Sequence, residues 1–260
     1  MKLAITGKGG VGKTTVASLL AWMYASEGNK VIAIDANPDA NLAVALGISA
    51  DEAQRITPIA ELKDLIQERT GAKAGSFGTF FKLNPKVDDI PEQFSIQKDG
   101  IKLLVMGTVK KGGSGCLCPE GALLKSLVSH LVLSRSEVVI MDMDAGVENL
   151  GRGTAKAVDA FIIIVEPGQR SFQTGRAIRD LAKDLGVKKC YIVGSKTRSA
   201  DERQFIIDNL PDFEVLGFVN YHSGIAEADR LGNSVFETAP EAVSEVKEIK
   251  KKLEQIIQRR

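Results

Sequence analysis

The nine residues from Gly7 to Thr15, Gly-Lys-Gly-Gly-Val-Gly-Lys-Thr-Thr, constrain the fold of this chain more than any other stretch. Before them, Lys2-Leu3-Ala4-Ile5-Thr6 is a short apolar run suited to a buried strand; after them, Val16 to Ala25 is an unbroken helix-favouring segment. A strand, a glycine turn and a helix start in that order build a phosphate cradle, the P-loop. The glycines let backbone N–H groups curl towards one point without Cβ clashes, and the helix beginning near Lys13 adds its positive dipole end. A nucleotide phosphate is the natural guest. Gly9, Gly10, Val11, Gly12, Lys13, Thr14 and Thr15 are therefore the candidate binding segment, with Lys13 reaching the β- and γ-phosphates and the Thr14 hydroxyl offered to Mg2+.

Short apolar runs of the buried-strand kind recur at Lys30 to Asp35, Ile101 to Met106, Glu137 to Met141, Phe161 to Val165, Cys190 to Val193 and Val215 to Val219. Helical patterns separate them, including Ile59 to Thr70, ended by Gly71, the segment from Pro119 to Leu133, and Thr174 to Leu185. Strands alternating with helices imply βα units: an α/β fold with a largely parallel sheet and helices on both faces. A chain of 260 residues suits one such P-loop domain spanning residues 1–260. Within it, residues 72–100 lose periodicity among glycines, prolines and phenylalanines and are read as an insertion, a candidate docking or lid surface.

Lys and Arg total 34 against 33 for Asp and Glu, which gives no electrostatic argument for nucleic acid or an acidic membrane. No stretch approaches bilayer-spanning length, so a cytoplasmic location with cysteines kept as thiols is expected. Glu241 to Arg260 sets Val243, Val246, Ile249, Leu253, Ile256 and Ile257 along one helical stripe. That pattern fits either a membrane-associating helix or one packed on the sheet; Glu245, Glu248 and Glu254 dilute its positive charge and favour packing.

Strand ends supply the remaining candidates. Lys30 to Asp35 leads into Ala36-Asn37-Pro38-Asp39-Ala40-Asn41-Leu42, which Pro38 keeps as a loop. Val138 to Met141 delivers Asp142 rigidly to where it can orient a Mg2+-bound water, and Gly146 allows close backbone approach to a γ-phosphate. Ser195 and Lys196 after one late strand, and Asn220 after the last, are candidates for the nucleotide base edge or ordinary loop residues. Cys116-Leu117-Cys118 places two thiols on the same side of an extended backbone, where they can chelate one soft or borderline metal. Two sulfurs leave such an ion half coordinated; two copies meeting at a dimer axis supply four, which suits Zn2+ or Ni2+. The other reading is a pair of small core cysteines, the role expected of Cys190.

Lys8 resembles the signature lysine of the deviant P-loop group that includes the Min and Par partitioning ATPases, the nitrogenase iron protein and several metallocluster-assembly ATPases. In that group the lysine reaches across a face-to-face dimer to the partner's nucleotide. Residues 36–42 resemble its first switch, and Val138 to Gly146 resemble its Walker B strand and second switch. The group usually carries an aspartate before the switch proline, to orient the attacking water or take its proton; here Asn37 stands there. An amide holds a water without accepting its proton, and general-base help is worth about 100- to 10,000-fold. Hydrolysis is expected to be slow, with Asp39 or Asp35 partly substituting, or with the nucleotide-bound state trapped by the change.

The Cys-x-Cys spacing sets the chain apart from the nitrogenase iron protein and the iron–sulfur scaffold ATPases. It is similar to that of the accessory ATPases of carbon monoxide dehydrogenase and acetyl-CoA synthase, the CooC and AcsF type. The resemblance runs from the P-loop through Lys110-Lys111-Gly112-Gly113 and Cys116-x-Cys118 to Met141 through Gly146 and Arg152 through Asp159. It implies a homodimer using ATP, ADP and Mg2+ that presents nickel to one of those nickel enzymes, with neither nucleic acid nor stable membrane association. Two other readings are a Min- or Par-like membrane- or DNA-positioning ATPase with incidental cysteines, and a slow or non-hydrolysing nucleotide-dependent switch.

Overall fold

The computed structural model describes residues 1–76, 79–108, 118–146, 150, 152–187 and 189–258. Strands β1 (Lys2–Gly7), β2 (Val31–Ala36), β3 (Ile96–Lys98), β4 (Ile101–Val105), β5 (Val138–Met143), β6 (Ala160–Val165), β7 (Cys190–Thr197) and β8 (Glu214–Asn220) form one sheet. Their order is β3-β4-β2-β5-β1-β6-β7-β8. Every adjacent pair is parallel except β3 and β4, an antiparallel hairpin at the edge. Helices α1 (Lys13–Ser26), α2 (Leu42–Ala45), α3 (Ala50–Gln54), α4 (Lys63–Thr70), α5 (Ile90–Phe94) and α6 (Pro119–Leu133) lie in the first half. Helices α7 (Arg152–Lys156), α8 (Gln169–Asp184), α9 (Ala200–Asn209), α10 (Ser223–Leu231), α11 (Val235–Thr238) and α12 (Pro240–Gln258) complete the described set.

The near-continuous apolar runs follow from a sheet covered on both sides. One core packs Leu3, Ile5 and Ile162 of the sheet against Leu19 and Leu20 of α1 and Val246, Ile249 and Leu253 of α12. The other packs Ile34, Leu104, Met141 and Phe161 against Leu127 of α6, Phe172 of α8 and Ile206 of α9. The stripe on α12 packs on β8 and α1, and the buried Lys250 of α12 is tied to Glu27, the C-cap of α1, at 2.8 Å and to Glu254 at 2.9 Å.

The helix expected over Ile59 to Thr70 is split into a 3-10 turn at Ile59–Glu61 and α4, because Leu62 has ψ 77, outside the helical range. Gly71 does end α4, in the left-handed conformation with φ 82. Residues 72–100 carry α5 and β3, so the segment rejoins the sheet as its antiparallel edge.

Candidate functional site

Strands β1, β2 and β5 bring their carboxyl ends together, where open α/β sheets hold ligands. β1 ends at Gly7, with φ +148; a Cβ there would sit 2.5 Å from the Ile164 carbonyl oxygen, so only glycine lets the loop leave the sheet so close to β6. Gly12, at φ +98, precedes α1 in the N-cap position and gives it no side-chain cap. The first N–H groups of α1 are therefore left for an anion rather than a capping side chain. Lys13 is buried and folds back to donate from Nζ to the Lys8 carbonyl at 3.3 Å, and Thr15 follows in the first turn of α1. The Lys8 ammonium pairs with Glu166, just beyond β6, at 3.2 Å.

Asp142 is the node of the site. Thr14 Oγ1 donates to its Oδ2 at 2.6 Å, and Asn37 Nδ2 donates to its backbone carbonyl at 3.3 Å. Its Oδ1 is buried and lacks a hydrogen-bond partner among the described residues. Burial raises the Asp142 pKa, opposed by the hydrogen bonds from Thr14 and Asn37 and the charge of Lys13. A threonine hydroxyl beside a buried carboxylate with an unused oxygen is a hard-oxygen donor set, the chemistry Mg2+ takes. These residues fit that ion.

Asp35, the register partner of Asp142 on β2, is wholly buried, and its two oxygens accept the N–H groups of Asn37 at 3.1 Å and Leu42 at 2.8 Å. Burial pushes its pKa up to about 6; the Leu42 N–H opposes this and the Asp142 charge adds to it. Asp35 therefore anchors both ends of the loop that carries Asn37, and its lone pairs are engaged there. Asp39 lies exposed in the same loop. At the end of β5, Gly146 donates its N–H to the Asp144 carbonyl at 2.8 Å, and Thr6 Oγ1 donates to that same oxygen at 2.7 Å. Thr6 had no assigned role in the sequence; its signal was a polar residue closing a buried apolar strand.

The base candidates part company. Ser195 is buried with its Oγ against Gly12, 3.0 Å from where a Cβ would stand, and Lys196 donates from Nζ to the Gly10 carbonyl at 2.6 Å. Asn220 instead accepts from Thr197 and Arg203, each at 2.8 Å, and donates to Glu245, so both ends of its amide serve β7, α9 and α12.

Cys116 and the Lys110 to Gly115 loop lie outside the described residues. Cys118 has an extended backbone, φ −125 and ψ 156, caps α6 by accepting the Gly121 N–H on its sulfur at 3.3 Å, and is buried. Glu120, in the first turn of that helix, accepts the Gly75 N–H and so ties the start of the 72–100 segment to the helix following the cysteines. No group of three or more His, Cys, Asp or Glu side chains suited to a metal occurs among the described residues. Cys190 is half-buried, and burial pushes its thiol up to about 11.

A strand, a glycine loop with an uncapped helix start, and two buried aspartates on neighbouring strands define a P-loop nucleotide-binding protein. Residues 2–235 match the CobQ/CobB/MinD/ParA nucleotide binding domain, and the chain belongs to that family. It is 49% identical over 240 residues to the carbon monoxide dehydrogenase accessory protein CooC of Rhodospirillum rubrum, covering 92% of this chain and 91% of that one. It is 44% identical over 237 residues to an uncharacterised ATP-binding protein of Methanocaldococcus jannaschii, covering 90% and 91%. Among solved structures, MinD in the Aquifex aeolicus MinC:MinD cell division complex shares the fold with a TM-score of 0.68 at 18% identity, over 98% of this chain and 96% of that one. A ParA family ATPase from Chlorobium tepidum does so with a TM-score of 0.67 at 15% identity, over 97% and 98%.

Proposed function

We propose that this chain is a dimerising ATPase of metallocentre assembly that binds nickel as its cargo and presents it to a carbon monoxide dehydrogenase or acetyl-CoA synthase. The observation that carries the reading is the 49% identity to a carbon monoxide dehydrogenase accessory protein along nearly the whole of both chains. The cargo site is the Cys116 and Cys118 pair of two copies at a shared axis, able to take nickel or zinc. The protein is cytoplasmic, with no nucleic acid partner and no stable hold on a membrane; Val246, Ile249 and Leu253 of the α12 stripe, buried in the core, would have to leave it to meet lipid.

In this reading Lys13 exchanges the Lys8 carbonyl for the β- and γ-phosphates of ATP, and Lys8 leaves Glu166 to reach the nucleotide of the second copy. Thr14 and Asp142 hold Mg2+, which supplies positive charge against the phosphate oxygens. Asn37 orients water but takes no proton, so turnover to ADP is slow. A nucleotide-dependent switch with almost no turnover is the second reading, favoured by the same residue.

Metal titration with mass measurement under non-denaturing conditions tests the cargo site. One ion per dimer is expected, with thiolate-to-nickel charge-transfer absorption lost in Cys116→Ser and Cys118→Ser and kept in Cys190→Ser. Binding releases protons and weakens in acid, because the thiols must ionise. One ion per monomer, or binding indifferent to both replacements, would reject the shared site.

A further inference from the structure

Lys196 sits where β7 departs from regular pairing. Ser195 pairs with Val219 and Thr197 with Asn220, and the register shifts between them. Lys196 is the extra residue, in the left-handed region at φ 58, a conformation that a side-chain-bearing residue adopts at a cost. Bulges of this kind re-aim a side chain beside active sites. Here the exposed lysine is turned out of the sheet onto the phosphate loop, with its Nζ on the Gly10 carbonyl across 186 residues of sequence.

We infer that Lys196 is a positioning residue for the phosphate loop. A peptide unit is planar and trans, so its C=O and N–H point in opposite directions. Holding the Gly10 carbonyl towards Lys196 turns the Val11 N–H of the same unit the opposite way, into the cradle. Lys13 does the same for the unit joining Lys8 and Gly9 through the Lys8 carbonyl, but its ammonium must leave once phosphate arrives. Lys196 can keep its bond with the nucleotide in place. The neighbouring residues brace it. Ser195 packs on Gly12, and Thr197 bonds Asn220, which Arg203 and Glu245 fix in turn. The strand-end polar residues thereby acquire a single task, the shape of the loop, in place of contact with the base.

This inference rests on the chain binding nucleotide, so wild-type binding of ADP and inorganic pyrophosphate is measured first by calorimetry; its absence would fail that reading and not the role of Lys196. Lys196→Met is expected to weaken ATP, ADP, GTP and pyrophosphate alike by about tenfold, the worth of one charge-assisted hydrogen bond. Lys196→Arg should restore most of the affinity. Lys196→Gly suits the left-handed backbone and guards against a folding defect: it should melt no lower than wild type and still lose about the same affinity. Unchanged pyrophosphate affinity in Lys196→Met and Lys196→Gly, or a changed ATP-to-GTP ratio with pyrophosphate unaffected, would overturn the inference and return Lys196 to the base.

Discussion

Asp35→Asn reads the energetic cost of burying an ionisable carboxyl at the end of β2, beside Asp142. The Asp35 carboxyl titrates near 3.8 when unfolded and at about 6 in the folded chain, where burial is the chief cause, the Leu42 N–H opposes it, and Asp142 adds its charge. Because the folded value is the higher, the folded state keeps a proton across that interval that the unfolded state has released. Stability from this group is full below about pH 4, falls as pH rises, and stays low above about pH 6. The gap amounts to about 3 kcal/mol. Asparagine has nearly the same shape and does not titrate; it keeps one acceptor for Asn37 or Leu42 and sets an N–H against the other, a loss of about 1–3 kcal/mol that does not vary with pH. The stability difference between wild type and variant should therefore move by about 3 kcal/mol in the variant's favour between about pH 4 and pH 7. Urea unfolding of the nucleotide-free protein in chelator, at several pH values, reads this difference. Asp142 titrates in both proteins, so its own contribution largely cancels. Parallel stability curves for the two proteins would refute the reasoning.

Three further outcomes are expected. Thr14→Ala removes the hydroxyl from Asp142 Oδ2 and should destabilise the apo protein by about 1–3 kcal/mol while raising the Asp142 pKa further; Mg2+ should then no longer strengthen ADP binding, and calorimetry showing an undiminished Mg2+ effect would count against the assigned pair. Glu166→Gln frees Lys8 from an ion pair with side chains 39% and 31% exposed, worth at most about 1 kcal/mol. ATP-dependent dimerisation by light scattering should strengthen by no more than about 30-fold, about fivefold for each of the two lysines, and Lys8→Ala should abolish it; dimers that form normally in Lys8→Ala would remove the trans role. Asn37→Asp should raise ATP turnover by about 100-fold or more, and a rate unchanged in a steady-state phosphate assay would show that base assistance is not what limits this chain.

The parallel strands were legible because both faces of the sheet are covered, so each reads as an apolar run, as in β6 from Ala160 to Val165. The phosphate loop was legible because its chemistry is local, within nine residues. β3 was not, since a three-residue, half-exposed edge strand has neither run nor alternation. Nor was the cap of α6: cysteine is not among the usual capping residues, and the sulfur contact shows only in three dimensions. Asn220 illustrates the deeper limit. A polar residue at a strand end suggests a ligand, but its partners Thr197, Arg203 and Glu245 come from three elements distant in sequence, and that convergence has no local trace. Asp35 was visible as a strand-end acid, whereas its occupation by the Leu42 and Asn37 N–H groups depended on the path of the loop.

The departure at Asn37 gains a physical account from its surroundings. Its amide donates to the Asp142 carbonyl while its backbone N–H donates to Asp35, so the residue bridges two strands whose aspartates already share a buried register. A carboxylate in its place has no proton to give that carbonyl and would add a third negative charge to a pair that burial already keeps from ionising freely. The nucleotide-free site therefore carries less buried negative charge with asparagine than it would with aspartate, and its loop keeps a bond that aspartate could not make. The same bonds link the loops at this edge of the sheet: Thr14 of the phosphate loop and Asn37 of the loop after β2 both meet at Asp142, and Thr6 ties β1 to the turn after β5. A phosphate that draws Thr14 away from Asp142 changes the charge environment of the residue that holds Asn37. Under the proposed function, nucleotide occupancy would reach the loop of Asn37 through one carboxylate, whether or not hydrolysis follows.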